Sequence, residues 1–154
     1  MNSLHTAPAP PTATVWSRLL HDAQFYLALL AGVVVITSLS LLQPPHPGWP
    51  PFWPYLQLAL LFPVLEEYLF RGLLQEAITA RYPNRLGPLS HANLTTSVLF
   101  ALAHLPNHPP IWALSVFFPS LVFGHFRERY HHLLPHTLLH CLYNSSYFLL
   151  YPPA

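Results

Sequence analysis

The sequence is poor in charge and contains no lysine. Only 7% of its 154 residues are charged, and all six basic residues are arginine. A soluble domain carries about 25% charged residues, so this composition argues against one. The formal net charge is only +1, so nothing in the composition suggests a nucleic-acid partner, and we expect none.

Cysteine is almost absent as well. Cys141 stands alone, so it cannot form an intramolecular disulfide or build a thiolate metal site by itself. No small-residue cleavage site follows the first apolar run, which starts near Phe25. We therefore expect that run to be a retained anchor rather than a signal peptide. The sequence also shows no internal repeat.

Hydrophobic residues make up 53% of the chain. Several runs of about 18 apolar residues follow one another, which predicts an all-α, polytopic membrane bundle of about five transmembrane helices. We expect residues 1–20 to be a disordered N-terminal segment and residues 21–154 to form a single membrane-embedded domain. The predicted spans are about Gln24–Leu42, Phe52–Ala80, His91–Leu105, Ile111–Phe126 and Leu133–Tyr151.

Arginine placement predicts the orientation of these spans. Five arginines flank alternate span ends, namely Arg18, Arg81, Arg85, Arg127 and Arg129. The loops 43–51 and 106–110 carry no charge apart from histidine, whereas residues 127–132 are predicted to form a short charged loop. The positive-inside rule then places the N-terminus in the cytoplasm and the C-terminus outside. We expect a multi-pass protein of a bacterial plasma membrane, surrounded by lipid.

Two adjacent glutamates, Glu66 and Glu67, lie inside the apolar second span. Carboxylates are costly in hydrocarbon, and those that persist there usually serve a function. Arg71 follows Glu67 by four residues and can pair with it on one helix face. Glu66 points about 100° away and has no basic partner in its own helix, so it is a candidate general base. The alternative is that both carboxylates only join a buried ion-pair network.

Other chemically active side chains lie on two further spans. His104 ends the third span, and His140 and Asn144 lie four residues apart on one face of the fifth. A lone histidine in a membrane helix more often forms a hydrogen bond to another helix. Together with Glu66, however, these residues supply a base, a second group to polarise water, and donors for an oxyanion.

These motifs resemble those of a known family. The three patterns are E-E-x-x-x-R from Glu66 to Arg71, F-x-x-x-H from Phe100 to His104, and H-x-x-x-N from His140 to Asn144. In this order on successive spans, they are similar to the motifs of the CPBP family. That family comprises glutamic intramembrane proteases, including the type II CAAX prenyl endopeptidase and bacteriocin-processing or self-immunity proteins. The resemblance covers about residues 52–151.

The resemblance implies a role for each matching residue. Glu66 and His104 would activate the water, while His140 and Asn144 would stabilise the oxyanion. Arg71 would organise Glu67, and Phe100 would be a supporting residue. Because His104 and Asn144 fall in the outer halves of their spans, we expect a membrane-anchored or secreted precursor, or one with a C-terminal tail, as the substrate.

Two rival interpretations remain open. One is a non-catalytic membrane protein, such as an immunity or scaffold protein, whose polar residues bind a peptide or a proton. The other is zinc-dependent hydrolysis, since zinc could use the same site. His132, His136 and His140 are spaced four apart, which could also suggest a metal-binding face. We expect no metal or cofactor, and interpret His132 and His136 as residues at the cytoplasmic headgroups.

Overall fold

Helices dominate the computed structural model, which describes residues 14–46 and 48–153. In chain order they are α1 (Val15–Leu20), α2 (Ala23–Leu42), α3 (Phe52–Leu56), π1 (Gln57–Leu61), α4 (Phe62–Glu67), π2 (Tyr68–Leu74), α5 (Gln75–Arg81), α6 (His91–His104), α7 (Pro110–Ser115), α8 (Phe117–Tyr130) and α9 (Leu134–Leu150). A single hairpin of two-residue strands, β1 (Arg85–Leu86) and β2 (Leu89–Ser90), precedes α6 in this part of the chain. The predicted all-α class is confirmed.

The first helix corrects the prediction of disorder over residues 1–20. Thr14 caps α1 by accepting a hydrogen bond from the Ser17 backbone N–H at 3.2 Å. Leu19 is buried in the core beside Phe126. The Arg18 guanidinium also lies over the Tyr130 ring, 4.8 Å from its centroid, so the helix packs against the end of the domain that carries Tyr130. Residues 1–13 lie outside the described residues, and the prediction for them stays untested.

Helix α2 agrees with the first predicted span. Its mean hydropathy is 2.3, and among the described residues it is the one helix that is both long and apolar enough to cross a membrane. Most of its side chains are exposed on the surface of the protein. It packs on α9 through small residues: Ala28 accepts a hydrogen bond from the Tyr143 hydroxyl at 2.7 Å, and the Tyr143 ring fits against Gly32.

The second predicted span is one uninterrupted helical path, which we call the composite helix (α3, π1, α4, π2 and α5; Phe52–Arg81). Every junction between its segments keeps right-handed helical backbone angles. At ~1.5 Å per residue it is roughly 45 Å long, more than the ~30 Å hydrocarbon thickness of a bilayer. Two π-helical stretches interrupt its α-helical hydrogen bonding. In each, one main-chain carbonyl accepts a hydrogen bond from a side chain of another helix.

The first such carbonyl is that of Leu58. The Phe62 N–H bonds to the carbonyl of Gln57 instead of Leu58, and Pro63, the next residue, has no N–H to offer. The Asn144 amide from α9 donates to the Leu58 carbonyl at 2.9 Å. An unpaired buried carbonyl would be costly, so this bond ties α9 to the composite helix.

The second carbonyl is that of Arg71. The Gln75 N–H bonds to Phe70 instead, and the Arg127 side chain donates its Nε–H to the Arg71 carbonyl at 3.2 Å. π-helical insertions of this kind are frequent at functional sites. Here they flank the Glu66–Glu67 pair on both sides.

The fourth predicted span is wrong in detail. The structure has two helices there, α7 and α8, separated at Val116. Pro119 explains the break, because its ring would clash with the carbonyl of Ser115 in a continuous helix. Helix α8 then continues to Tyr130, so residues 127–130 are helical rather than part of a charged loop. It ends at His131, whose φ of 50° is left-handed.

One buried carboxylate joins the start of α2 to the end of α8. Asp22 caps α2 at the Gln24 N–H and also accepts the Arg129 Nε–H and the Tyr130 hydroxyl, both at 2.7 Å. Burial alone would raise the pKa of Asp22, but these hydrogen bonds outweigh it and hold the pKa below the usual value. Asp22 is therefore ionised at neutral pH and fixes the entry of α2.

Gly124 allows α6 and α8 to approach closely, and its replacement tests this packing. A Cβ at Gly124 would overlap the Asn93 amide, which itself donates to the Leu121 carbonyl at 3.0 Å. We expect Gly124→Ala to lower the free energy of unfolding by about 1–3 kcal/mol, as overpacked cores do. Thermal unfolding of the purified variant in detergent measures this loss of stability. Gly72→Ala is the matched control, because a Cβ there meets ordinary contacts at 3.4 Å or more; equal losses would contradict this account of the helix contact.

Candidate active site

Glu67 is the centre of a buried polar cluster. Its carboxylate is fully buried and contacts three basic side chains. Arg71 Nη1 lies 3.1 Å from Oε1, which is the ion pair expected from their spacing. His140 Nδ1 donates to Oε1 at 2.9 Å, and His136 Nδ1 donates to Oε2 at 2.7 Å. Helix α9 thus supplies two imidazoles, one to each oxygen of a single carboxylate.

Arg71 is held by aromatic rings as well as by charge. Its guanidinium lies over the rings of Phe100 at 4.5 Å and Phe123 at 5.5 Å. Its Nη2 donates to the carbonyl of Ser120 at 3.1 Å and to the hydroxyl of that residue at 2.5 Å. Cation–π contacts of this kind gain strength when water is excluded. Arg71 therefore connects the composite helix to α6 and α8 and neutralises Glu67.

Glu66 occupies a different environment from its neighbour. Its side chain is 31% exposed, whereas that of Glu67 is 0% exposed. The nearest basic atom is His140 Nε2, at 3.7 Å from Glu66 Oε2. An ionised Glu67 can only accept, so Nδ1 of His140 carries a proton, and Nε2 is the ring atom directed at Glu66. The two carboxylates contact opposite edges of one imidazole.

His104 approaches this pair from α6. Its Nδ1 donates to the Phe100 carbonyl at 2.8 Å. A carbonyl only accepts, so this bond fixes the tautomer and leaves Nε2 available as an acceptor. The Phe100 ring lies between the two histidines, 4.7 Å from the His104 ring and 5.9 Å from the His140 ring, which gives this predicted supporting residue a spacing role.

Asn144 lies one turn beyond His140 on the same helix. Its Nδ2 donates to the carbonyl of Leu58 at 2.9 Å. The side chain is therefore engaged with the composite helix rather than with either carboxylate. Its role in oxyanion stabilisation stays a prediction.

The prediction that His136 lies at the cytoplasmic headgroups is wrong. It is fully buried and bonded to Glu67. His132 does not continue its face, because α9 begins at Leu134 and His132 Nδ1 instead accepts the Leu134 N–H at 3.1 Å. Within residues 14–46 and 48–153, no group of three or more His, Cys, Asp or Glu has the arrangement of a metal site.

A row of aromatic rings begins at His104. The His108 ring stacks on the indole of Trp112 with centroids 4.0 Å apart, and both lie about 6 Å from the His104 ring. Tyr147 follows at 6.3 Å from Trp112. Burial and the charge of His104 lower the pKa of His108, which lies in the loop between α6 and α7 and is neutral at pH 7. These rings form a continuous aromatic row beside His104.

Comparison with known proteins agrees with the motifs. Residues 48–146 match the family model described as type II CAAX prenyl endopeptidase Rce1-like. The match spans more than half of the chain and includes the composite helix and α6 to α9 as far as Ser146. The chain therefore belongs to this family, which consists of membrane proteins and implies a protease. No curated protein and no solved structure matches the chain.

Proposed function

We propose that this protein is a glutamic-type intramembrane endopeptidase. Glu66 acts as the general base, and His104 holds the attacking water with it. His140 donates to the oxyanion, and Asn144 is assigned as a second donor by the family motif. The observation that carries the proposal is the contact of His140 with both carboxylates, through Nδ1 to Glu67 and through Nε2 toward Glu66.

Charge balance supports this division of roles. Glu66 and Glu67 carry two negative charges when ionised, and Arg71 supplies one positive charge. The second negative charge belongs to Glu66, which is partly exposed and has His140 Nε2 as its nearest basic atom, at 3.7 Å. In the proposed reacting state Nε2 of His140 holds a proton as well as Nδ1, so that its N–H faces the space beside Glu66, as an oxyanion donor must.

The reaction follows from these positions. Glu66 takes a proton from water, and the water oxygen bonds to the peptide carbonyl carbon while the C=O electron pair moves onto oxygen. The His140 Nε2–H stabilises that oxyanion. The oxyanion then collapses, the C–N bond breaks, and the proton held by Glu66 passes to the leaving amine. His104, with Nδ1 bonded to the Phe100 carbonyl, accepts a hydrogen bond from the water at Nε2. Asn144 joins as a donor through the second N–H of its Nδ2, while the first stays on the Leu58 carbonyl.

The surface of the composite helix supports a multi-pass arrangement. Its outer face presents a row of large apolar side chains that are 41–53% exposed, comprising Leu60, Leu61, Phe62, Val64, Leu65 and Leu69. Apolar patches of this extent are rare on soluble monomers. We infer that lipid covers this face and that the protein lies in a bacterial plasma membrane with its N-terminus in the cytoplasm. Glu66, on the adjacent face, is then reached from within the bilayer.

The substrate we propose is a protein with a membrane anchor or a C-terminal apolar tail. The aromatic row of His108, Trp112 and Tyr147 lies on the side of His104 that the arginine distribution places outside. A peptide emerging from the outer half of the membrane would pass these rings before reaching Glu66. A cytoplasmic, prenylated substrate would have to approach from the opposite side.

The test compares membrane proteins from cells with and without the gene. We expect one or a few precursors to persist uncleaved when the gene is absent. The purified protein in liposomes should then cleave them when mixed with that membrane fraction, producing new termini detectable by mass spectrometry. Cleavage should continue in the presence of a chelator. Loss of cleavage on chelation, restored by zinc, would show the zinc-dependent alternative.

The binding-protein alternative has its own outcome in this experiment. An immunity or scaffold protein would retain a membrane protein on purification without generating new termini. Identical termini in the two membrane fractions, together with no cleavage by the purified protein, would contradict the proposed endopeptidase.

A further inference from the structure

His136 is the buried titratable group that the proposed mechanism leaves without a role. It is 0% exposed, and neither the family motifs nor the proposed steps involve it. Its Nδ1–H bonds to Glu67 Oε2 at 2.7 Å, the shortest contact that this carboxylate makes. Its Nε2 is buried without a hydrogen-bond partner among the described residues. Burying a polar ring atom without a partner is costly, and the bond from Nδ1 to Glu67 is the contact that offsets this cost.

The other two partners of Glu67 both act on the opposite oxygen. Arg71 Nη1 and His140 Nδ1 lie 3.1 and 2.9 Å from Oε1. The last torsion angle of a glutamate side chain, χ3, has a broad distribution with no strongly preferred value. With Oε2 unpartnered, the carboxylate could turn to present both oxygens to Arg71, the bidentate arrangement that guanidinium favours. His140 would then lose the acceptor that sets its ring.

We propose that His136 is a positioning residue for the hydrolytic site. By occupying Oε2 it holds the Glu67 carboxylate in the one rotation that directs Oε1 at His140 Nδ1. That bond in turn directs His140 Nε2 toward Glu66 Oε2, 3.7 Å away. The two histidines are one turn apart on α9, so a single rigid helix presents both donors to both oxygens. The inference rests on the proposed function for its catalytic consequence, but its geometry can be tested alone.

The test uses variants that keep or remove the donor at the position of Nδ1. Asparagine places its Nδ2–H₂ near the Nδ1 position of histidine, whereas glutamine places its amide one bond further out. We therefore expect His136→Asn to retain cleavage within a few-fold of wild type. His136→Gln and His136→Leu should lose on the order of 100-fold in kcat with KM nearly unchanged, the loss that a misplacement of about 1 Å can cause. His91→Leu, which alters an exposed histidine at the start of α6, is the control.

A spectroscopic measurement separates positioning from catalysis. In protein labelled with ¹⁵N-histidine, the His140 Nδ1–H should give a hydrogen-bonded proton signal in wild type and in His136→Asn. That signal should be lost or shifted in His136→Gln. If His136→Leu does not fold, the Asn and Gln variants still give the comparison, since both replace histidine with a neutral amide.

The outcomes distinguish this inference from the proposed function. Wild-type kcat in a folded His136→Gln variant, or an unchanged His140 signal in it, would overturn the positioning role. A His136→Asn variant as defective as His136→Gln would also overturn it. If wild-type protein cleaves nothing while the His140 signal responds as expected, the positioning contact stands and the proteolytic proposal fails.

Discussion

Glu66→Gln is expected to abolish cleavage while leaving the fold intact. The amide cannot accept the proton that water must give up, and removal of a general base typically costs 10²–10⁴-fold in rate. The side chain is partly exposed, and its nearest basic contact is the 3.7 Å approach to His140, so little stability should be lost. The measurement is the rate of precursor cleavage by the purified variant, with its thermal unfolding recorded in parallel.

Glu76→Gln is the matched control for this result. Glu76 lies further along the same composite helix and pairs with Arg127 at 2.7 Å, with its own side chain 63% exposed. Surface pairs contribute about 0–1 kcal/mol, so this variant should cleave as wild type does. Equal cleavage by Glu66→Gln and Glu76→Gln would rule out Glu66 as the base.

Glu67→Gln is expected to destabilise the folded protein, and not only to lower its rate of cleavage. The change removes a buried negative charge that faces Arg71, so the guanidinium is left without its counter-charge. Breaking such a pair costs about 3–5 kcal/mol. Expression should fall, and the free energy of unfolding of any purified variant should decrease by that amount. The variant should also lose activity, because His140 no longer has a carboxylate at Nδ1.

A double variant tests the electrostatic part of that loss. Replacing Arg71 with methionine in the Glu67→Gln background removes the unpaired charge while keeping an apolar side chain between Phe100 and Phe123. We expect the double variant to be more stable than the sum of the two single losses predicts, since the residues are in contact. Strict additivity of the two losses would show that Glu67 and Arg71 do not act as a pair.

The helices were predictable because their sequence signals are local. Apolar length and the surrounding proline and arginine residues predicted α2, the composite helix, α6 and α9 to within about two residues. The predicted span Ile111–Phe126 does not include the break at Val116, although Pro119 is a local sequence signal for it. The helical end of α8 was missed because Arg127, Glu128 and Arg129 look like a loop until their partners are known. Each of them contacts a residue of another element, at Glu76, Ser90 and Asp22 respectively.

The site was predictable only where its contacts are local in sequence. The Glu67–Arg71 ion pair follows from four-residue spacing on one helix, and the structure has it. The role of His136 depends on Glu67, 69 positions away, and no periodicity within α9 indicates which imidazole meets which carboxylate. The contact between Asn144 and Leu58 depends on a π-helical segment that sequence patterns do not predict. Pro63 has no N–H to offer, and the Leu58 carbonyl is bonded by the Asn144 amide of α9 instead.

In the proposed mechanism Glu66 and His104 act on one water in one site. The decisive measurement is the cleavage of a single purified precursor by four proteins: wild type, Glu66→Gln, His104→Ala and the double variant. Residues that act as a unit show strongly non-additive losses in kcat/KM. We predict that the double variant will be about as slow as the slower single variant. A double variant whose loss equals the product of the two single losses would contradict the shared site.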